Sequence, residues 1–155
     1  MYMQFLPLPA QIPAFLDYAT IYYNKDLFGS LQLEKPSTYE ELLSAIETLA
    51  ENGYTPVALG GKGDFDRYWL IQIMAPALCQ ETMNQISKHE AIDFTAMEKM
   101  FDTYREWSEK GYMGKDFASV DAVGAQRAFT NGEAGMIVDG TWNNQMYREL
   151  NFEVG

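Results

Sequence analysis

The sequence predicts an α/β domain, rich in helix around a small central sheet. Short apolar and β-branched runs at 18–23, 56–59 and 135–138 alternate with longer stretches whose apolar residues recur every three or four positions. Cap and turn residues punctuate the boundaries, with Ser37 and Thr38 before one helix and Asn52-Gly53 after it. The chain has 155 residues, a length that suits one domain, and at 47% hydrophobic it is too apolar to be disordered throughout.

Each element follows from its residues. Residues 1–16 read as an irregular N-terminal segment, because Pro7, Pro9 and Pro13 each fix φ and remove a donor. The aromatic run at 18–23 suits a buried strand, which Asn24-Lys25-Asp26 ends. Ser37 with Glu40, or Thr38 with Glu41, has the spacing of a capping box for a helix that buries Tyr39, Leu42, Leu43, Ile46, Leu49 and Ala50. Gly53 stops it. A strand at 56–59 leads into Gly60-Gly61-Lys62-Gly63. A second helix starts near Asp64–Asp66 and runs to Cys79, with Leu70, Ile73, Met74, Ala77 and Leu78 inward and Pro76 disturbing its last turn. Asp93 is expected to cap a third helix over 94–110, whose buried face takes Phe94, Met97, Met100, Phe101, Tyr104 and Trp107. Ser119 is expected to cap a fourth, ending at Asn131-Gly132. A buried strand at 135–138 then turns through Asp139-Gly140-Thr141 into a fifth helix from Trp142 to Leu150, and Phe152–Val154 opens another strand.

Charge and motif content exclude several functions. With 22 acidic and 11 basic residues the formal charge is −11, which opposes nucleic-acid binding and docking on an anionic membrane. No apolar run approaches the ~18–20 residues of a membrane span. The first fifteen residues hold three prolines and no basic residue, so they make a poor secretory signal. The single cysteine, Cys79, and the single histidine, His89, leave no metal spacing and no Ser/His/Asp set; Cys79 reads as core and His89 as a solvated loop residue. The Gly60–Gly63 run lacks the GxxxxGK[ST] order of a phosphate loop, and Asp64 behind it would repel phosphate. No cofactor is expected.

Carboxylates and aromatics sit at the strand ends. Asp17, Asp64, Asp66 and Asp139 are read three ways: as helix caps, as acceptors for ligand hydroxyls, or as a hydrolytic pair. Trp69 and Trp142 each follow a strand and a glycine, where ligands of open α/β sheets bind. They either fill core or offer flat faces to the C–H surface of a sugar.

The order of motifs carries a resemblance. The stretch IYYNKDLFGSLQLEKPSTYEELLSAIETLAENGYTPVALGG, and later AFTNGEAGMIVDGTWNN, resemble the extracellular solute-binding proteins of ABC importers, of the sugar and maltodextrin-binding type. The likeness covers residues 17–155. It implies a two-lobed periplasmic-binding-protein-like fold of which 17–155 is a single α/β lobe, the second, entered near Tyr22-Tyr23-Asn24. It implies that Trp142 stacks on a sugar ring and that Asp17 faces the cleft. Asp64 or Asp66 would supply an acidic contact and Tyr68 or Trp69 an aromatic one, while Asn24 and Lys25 shape a turn. It further implies no catalysis, a sugar or oligosaccharide ligand, and a membrane permease as partner. The place is extracellular or periplasmic, with a cell-surface lipoprotein as the full-length parent. Self-association is expected through the surface that the missing lobe would cover. Two other functions compete: a glycoside-active enzyme pairing Asp64 or Asp66 with Asp17, and a free-standing interaction domain.

Overall fold

The computed structural model describes residues 17–155; residues 1–16, and with them the irregular N-terminal segment, lie outside it, as do the side chains of residues 64–67 and 69. Three strands form one sheet: β1 (Ala19–Tyr23), β2 (Thr55–Ala58) and β3 (Ala134–Gly140). The order is β1-β3-β2, and β3 runs antiparallel to β1 and parallel to β2. Every residue of β3 is buried, because helices cover both faces of this central strand.

The period-two alternation of the strands divides the core. Ile21 and Tyr23 of β1, Val57 of β2, and Met136 and Val138 of β3 point to one side. There they meet α1 (Lys25–Ser30), α2 (Tyr39–Glu51), α3 (Asp64–Leu78) and α5 (Thr95–Glu109) through Phe28, Ile46, Leu49, Met74, Met100 and Trp107. Tyr22, Ala58 and Ile137 point to the other side, where α6 (Ala122–Thr130) and α7 (Asn144–Arg148) bring Ala125, Phe129 and Tyr147. The Phe129 and Tyr147 rings meet edge to face at 5.5 Å. The α/β expectation therefore holds, with a small sheet between helical layers.

Several boundaries differ from the sequence reading. Asn24 does more than end β1: its side chain accepts the Leu27 N–H at 2.9 Å and caps α1, whose Leu27 and Phe28 are buried. α3 stops at Leu78, and a further helix, α4 (Gln80–Lys88), follows at once. Its polar sequence hides it; Met83 and Ile86 are exposed, and it is tied down through Thr82, whose hydroxyl donates to the Asp93 carbonyl. His89 ends α4 in the left-handed conformation and is exposed. In α5 the N-cap position falls on Phe94, and Asp93 Oδ1 accepts the Thr95 N–H from just outside. Met100 and Trp107, seven residues apart, share the buried face, whereas Phe94 and Phe101 are exposed. At roughly 100° per residue Phe101 lies a quarter turn round from Met100, so one face cannot hold the whole apolar set. In α3, Ala77 is likewise exposed.

Further along, Ser119 falls in a 3-10 turn (Phe117–Ser119), and Asp121 caps α6 by accepting the Gly124 N–H. The expected fifth helix is split into a 3-10 turn (Thr141–Asn143) and α7, which stops at Arg148. Of the final strand, only Val154 bridges, to Asn24, beside a reciprocal pair of hydrogen bonds between Tyr23 and Gly155.

The capping box of α2 uses Thr38 rather than Ser37. Thr38 Oγ1 accepts the Glu41 N–H at 3.1 Å, and Glu41 Oε2 accepts the N–H groups of Ser37 and Thr38. Thr38→Ala is expected to lower stability by about 1 kcal/mol, read as a lower urea midpoint with an unchanged m-value.

Candidate functional site

Strand direction decides where the site falls. β1 starts where β3 ends, with Ala19 opposite Gly140, and β2 ends at the same edge of the sheet. Residues 17–18, the Gly60–Gly63 loop with the start of α3, and residues 140–143 therefore converge at the carboxyl ends of β2 and β3. Open α/β sheets bind ligands there.

Asp139 anchors this end. It is buried, and its carboxylate accepts from four groups. Gln126 Nε2 of α6 lies 2.9 Å from Oδ2 and Tyr147 OH of α7 lies 2.5 Å from it. Asn143 Nδ2 reaches both oxygens, at 3.0 and 2.9 Å, and the Gly140 N–H lies 2.7 Å from Oδ1. A buried carboxylate is tolerated when its lone pairs are satisfied in this way. Burial first, and then the hydrogen bond to Asp139, push the Tyr147 phenol far above its ordinary range, so it stays a donor. Burial and the Asp139 charge also raise Tyr22, whose hydroxyl donates to Asn144 Oδ1 at 2.5 Å. Asp139 is thus not a helix cap, since the N-cap position of the following turn is Gly140.

Thr141 joins the two strand ends. Its N–H donates to the Tyr18 carbonyl at 3.0 Å, and its Oγ1 accepts the Tyr18 N–H and donates to Asp17 Oδ1, both at 3.3 Å. Trp142 comes next. A Cβ at Gly140 would fall almost equidistant from Cε2, Cζ2 and Cη2 of the indole, which puts the Gly140 α-carbon under the face of that ring rather than beside its edge. The residue is nevertheless 49% exposed. Half exposed, Trp142 is not a core filler.

Asp17 and Tyr68 line one hollow of about 690 Å³, together with Tyr18, Ile71 and Gln72 and a floor that includes Cys79, Met97 and Met100. Tyr18 and Tyr68 are both exposed. Asp17 therefore links the hollow to Trp142 through Thr141. The N-cap position of α3 falls on Gly63, which sets Asp64, Asp66, Tyr68 and Trp69 in the first turns of that helix. The side chains of Asp64, Asp66 and Trp69, and with them the expected groove shared by two indoles, lie outside the described residues. A second hollow, about 490 Å³ and mostly apolar, opens between Lys35–Tyr39, Ile73 and Gly155. Asp17, Tyr68 and Trp142, the expected site residues whose side chains are described, do not line it.

The glycine loop is no phosphate cradle. A Cβ at Gly60 would lie 2.6 Å from the Asp121 backbone, and the N–H groups of Gly61 and Lys62 donate to the Phe117 and Val120 carbonyls. These glycines let the loop before α3 pack against Phe117 and the Asp121–Ala122 backbone at the start of α6. Cys79 is core, as expected; its thiol donates to the Ala96 carbonyl, and burial raises its pKa. Among the described residues no group of three or more His, Cys, Asp or Glu comes together to hold a metal ion.

Sequence reasoning missed Tyr18, Thr141 and the donors to Asp139. Tyr18 reads as the first residue of the buried strand but stands one residue ahead of its start and is exposed. A partial signal existed: Asn143 and Tyr147 are spaced by four in the helical turns that follow Asp139, which puts them on one face.

The description "bacterial extracellular solute-binding protein" matches residues 4–153, and the chain belongs to that family. An uncharacterized ABC transporter extracellular-binding protein of Pyrococcus horikoshii is 27% identical over 136 residues, covering 83% of this chain and 30% of its own length. A chitin oligosaccharide binding protein superposes with a TM-score of 0.78 at 25% identity, over 90% of this chain and 37% of its own. Apo RafE from Streptococcus pneumoniae superposes with a TM-score of 0.73 at 23% identity, over 90% of this chain and 38% of its own, and shares the fold. The chain spans about a third of the length of these relatives.

Gly140 has ordinary extended dihedrals, φ −85° and ψ 150°, so alanine there meets no backbone strain, only the indole. Gly140→Ala is expected to swing Trp142 off its seat, changing near-ultraviolet circular dichroism and tryptophan emission, while stability falls by about 1 kcal/mol or less.

Proposed function

We propose that residues 17–155 are one lobe, the second, of a two-lobed carbohydrate-binding protein that serves an ABC importer, and that the carboxyl end of its sheet is half of the sugar site. Trp142 carries this reading: a tryptophan half exposed at a strand end, with the Gly140 α-carbon backing the ring, offers its outer face to the C–H surface of a pyranose. Asp17 would accept hydroxyl hydrogens beside it, joined by Asp64 or Asp66. Tyr68 or Trp69 would wall the ligand from α3. A few placed polar groups around apolar faces are the ordinary make-up of a small-molecule site.

The relatives support the ligand class. Those with solved structures include a chitin oligosaccharide binding protein, RafE in complex with raffinose, and a sugar transporter from Bacillus licheniformis in complex with stachyose. The name of the Pyrococcus horikoshii relative supports a membrane permease as partner. The family supports an extracellular or periplasmic place, and we extend this to a lipoprotein-anchored parent. Binding without turnover is favoured over hydrolysis. Asp139, the buried carboxylate of this end, already accepts from four groups, and Asp17 is exposed and bonded to Thr141.

A half-site lacks the opposing polar groups and the desolvation that a closed cleft provides. Titration of this chain with a chitin oligosaccharide, followed by fluorine NMR on 5-fluorotryptophan, is expected to move the Trp142 resonance. The dissociation constant should lie near ~1 mM, equivalent to about −4 kcal/mol. Trp142→Ala should abolish the remaining sugar-induced shifts, and the sugar should be recovered uncleaved. Micromolar affinity in the monomer would contradict the half-site. Cleavage lost on Asp64→Asn would establish the enzyme instead.

A further inference from the structure

We infer that Asp139 is a positioning residue for Trp142, setting the indole's place through a buried polar network rather than touching ligand. The inference rests on the reading of Trp142 as the sugar platform.

The turn that carries Trp142 has few supports of its own. It is a single 3-10 turn between the end of β3 and a five-residue helix, too short to hold its shape unaided. Its geometry comes from side chains. On its inner side Asn143 donates to both oxygens of Asp139. Tyr147, one turn further along, donates to the same carboxylate while its ring is wedged between Phe129 and Tyr22, at centroid distances of 5.5 and 4.5 Å. Gln126 ties α6 to the same point. Tyr22 holds Asn144 from β1. The carboxylate thus ties β3 to α6, to the 3-10 turn and to α7, and the residue between Thr141 and Asn143 is Trp142.

The chemistry requires an anion acceptor there. Gln126, Asn143 and Tyr147 all direct N–H or O–H groups at Asp139. An amide has nearly the same shape but would aim its own N–H2 at one of these donors. Asp139→Asn therefore keeps the volume and breaks the pattern, forcing an amide flip or an unsatisfied buried donor. Asn143 and its turn should release first, because the side-chain hydrogen bonds of Asn143 end on this carboxylate. Trp107, 3% exposed in the opposite core, should not feel the change.

The test labels the full chain with 5-fluorotryptophan and assigns resonances by Trp142→Phe and Trp107→Phe. Asp139→Asn and, separately, Tyr147→Phe are each expected to shift and broaden the Trp142 resonance while leaving Trp107 in place. Chitin oligosaccharide binding, read on the same spectra, should weaken about tenfold. Tyr147→Phe keeps the ring packing and covers the case in which Asp139→Asn fails to fold. If both variants fold and Trp142 stays where it was, the positioning role is overturned, whatever the sugar does. If Trp142 moves in the variants but the sugar never perturbs it in the unmodified chain, the positioning role stands and the sugar platform is overturned.

Discussion

The placement of β3 between an antiparallel β1 and a parallel β2 is the constraint from which the rest follows. It brings the beginning of one strand and the ends of two others to a single edge of the sheet. It also buries β3 from both faces, so the strand must be apolar almost to its end. The chain can turn polar only at Asp139, and a carboxylate still inside the protein at that point has to collect donors. The collection of Gln126, Asn143 and Tyr147 around Asp139 answers that demand, and it fixes the turn on which Trp142 stands.

Outward from that anchor, the polarity of the contacts changes in steps. The innermost layer is the satisfied carboxylate and two tyrosines whose phenols are both raised, that of Tyr147 far above its usual range. The next is the Thr141 clamp, which ties the end of β3 to Tyr18 and Asp17 by side chain and backbone together. Only then come exposed faces, those of Tyr18, Tyr68 and Trp142. Rigid support beneath exposed aromatic surface suits reversible binding, because little ordering is left to be done when a ligand arrives.

Much of this was legible in the residues. Short apolar and β-branched runs located all three strands, and the overlapping Ser37–Glu40 and Thr38–Glu41 spacings located the start of α2 to within one residue, because local chemistry decides those features. Helix α4 was not read from the sequence, since its apolar residues are few and hydrogen bonds from Thr82 to the Asp93 carbonyl and from the Asp93 N–H to Gln85 hold it in place. The burial of Met100 over Phe101 was not legible either. Five or six apolar residues on α5 compete for one face, and the packing of α3 selects among them. At the site, the sequence placed Asp17 and Trp142 at strand ends but gave no sign of how they are connected. That connection runs through Thr141 across 124 residues of chain, a separation at which local pattern says nothing.

The most direct test is a crystal structure of this chain soaked with a chitin oligosaccharide. The sugar ring should lie parallel to the Trp142 indole on the side away from Gly140, with its hydroxyls toward Asp17. A sugar seated in the apolar hollow beside Lys35–Tyr39, with the indole left bare, would contradict the account.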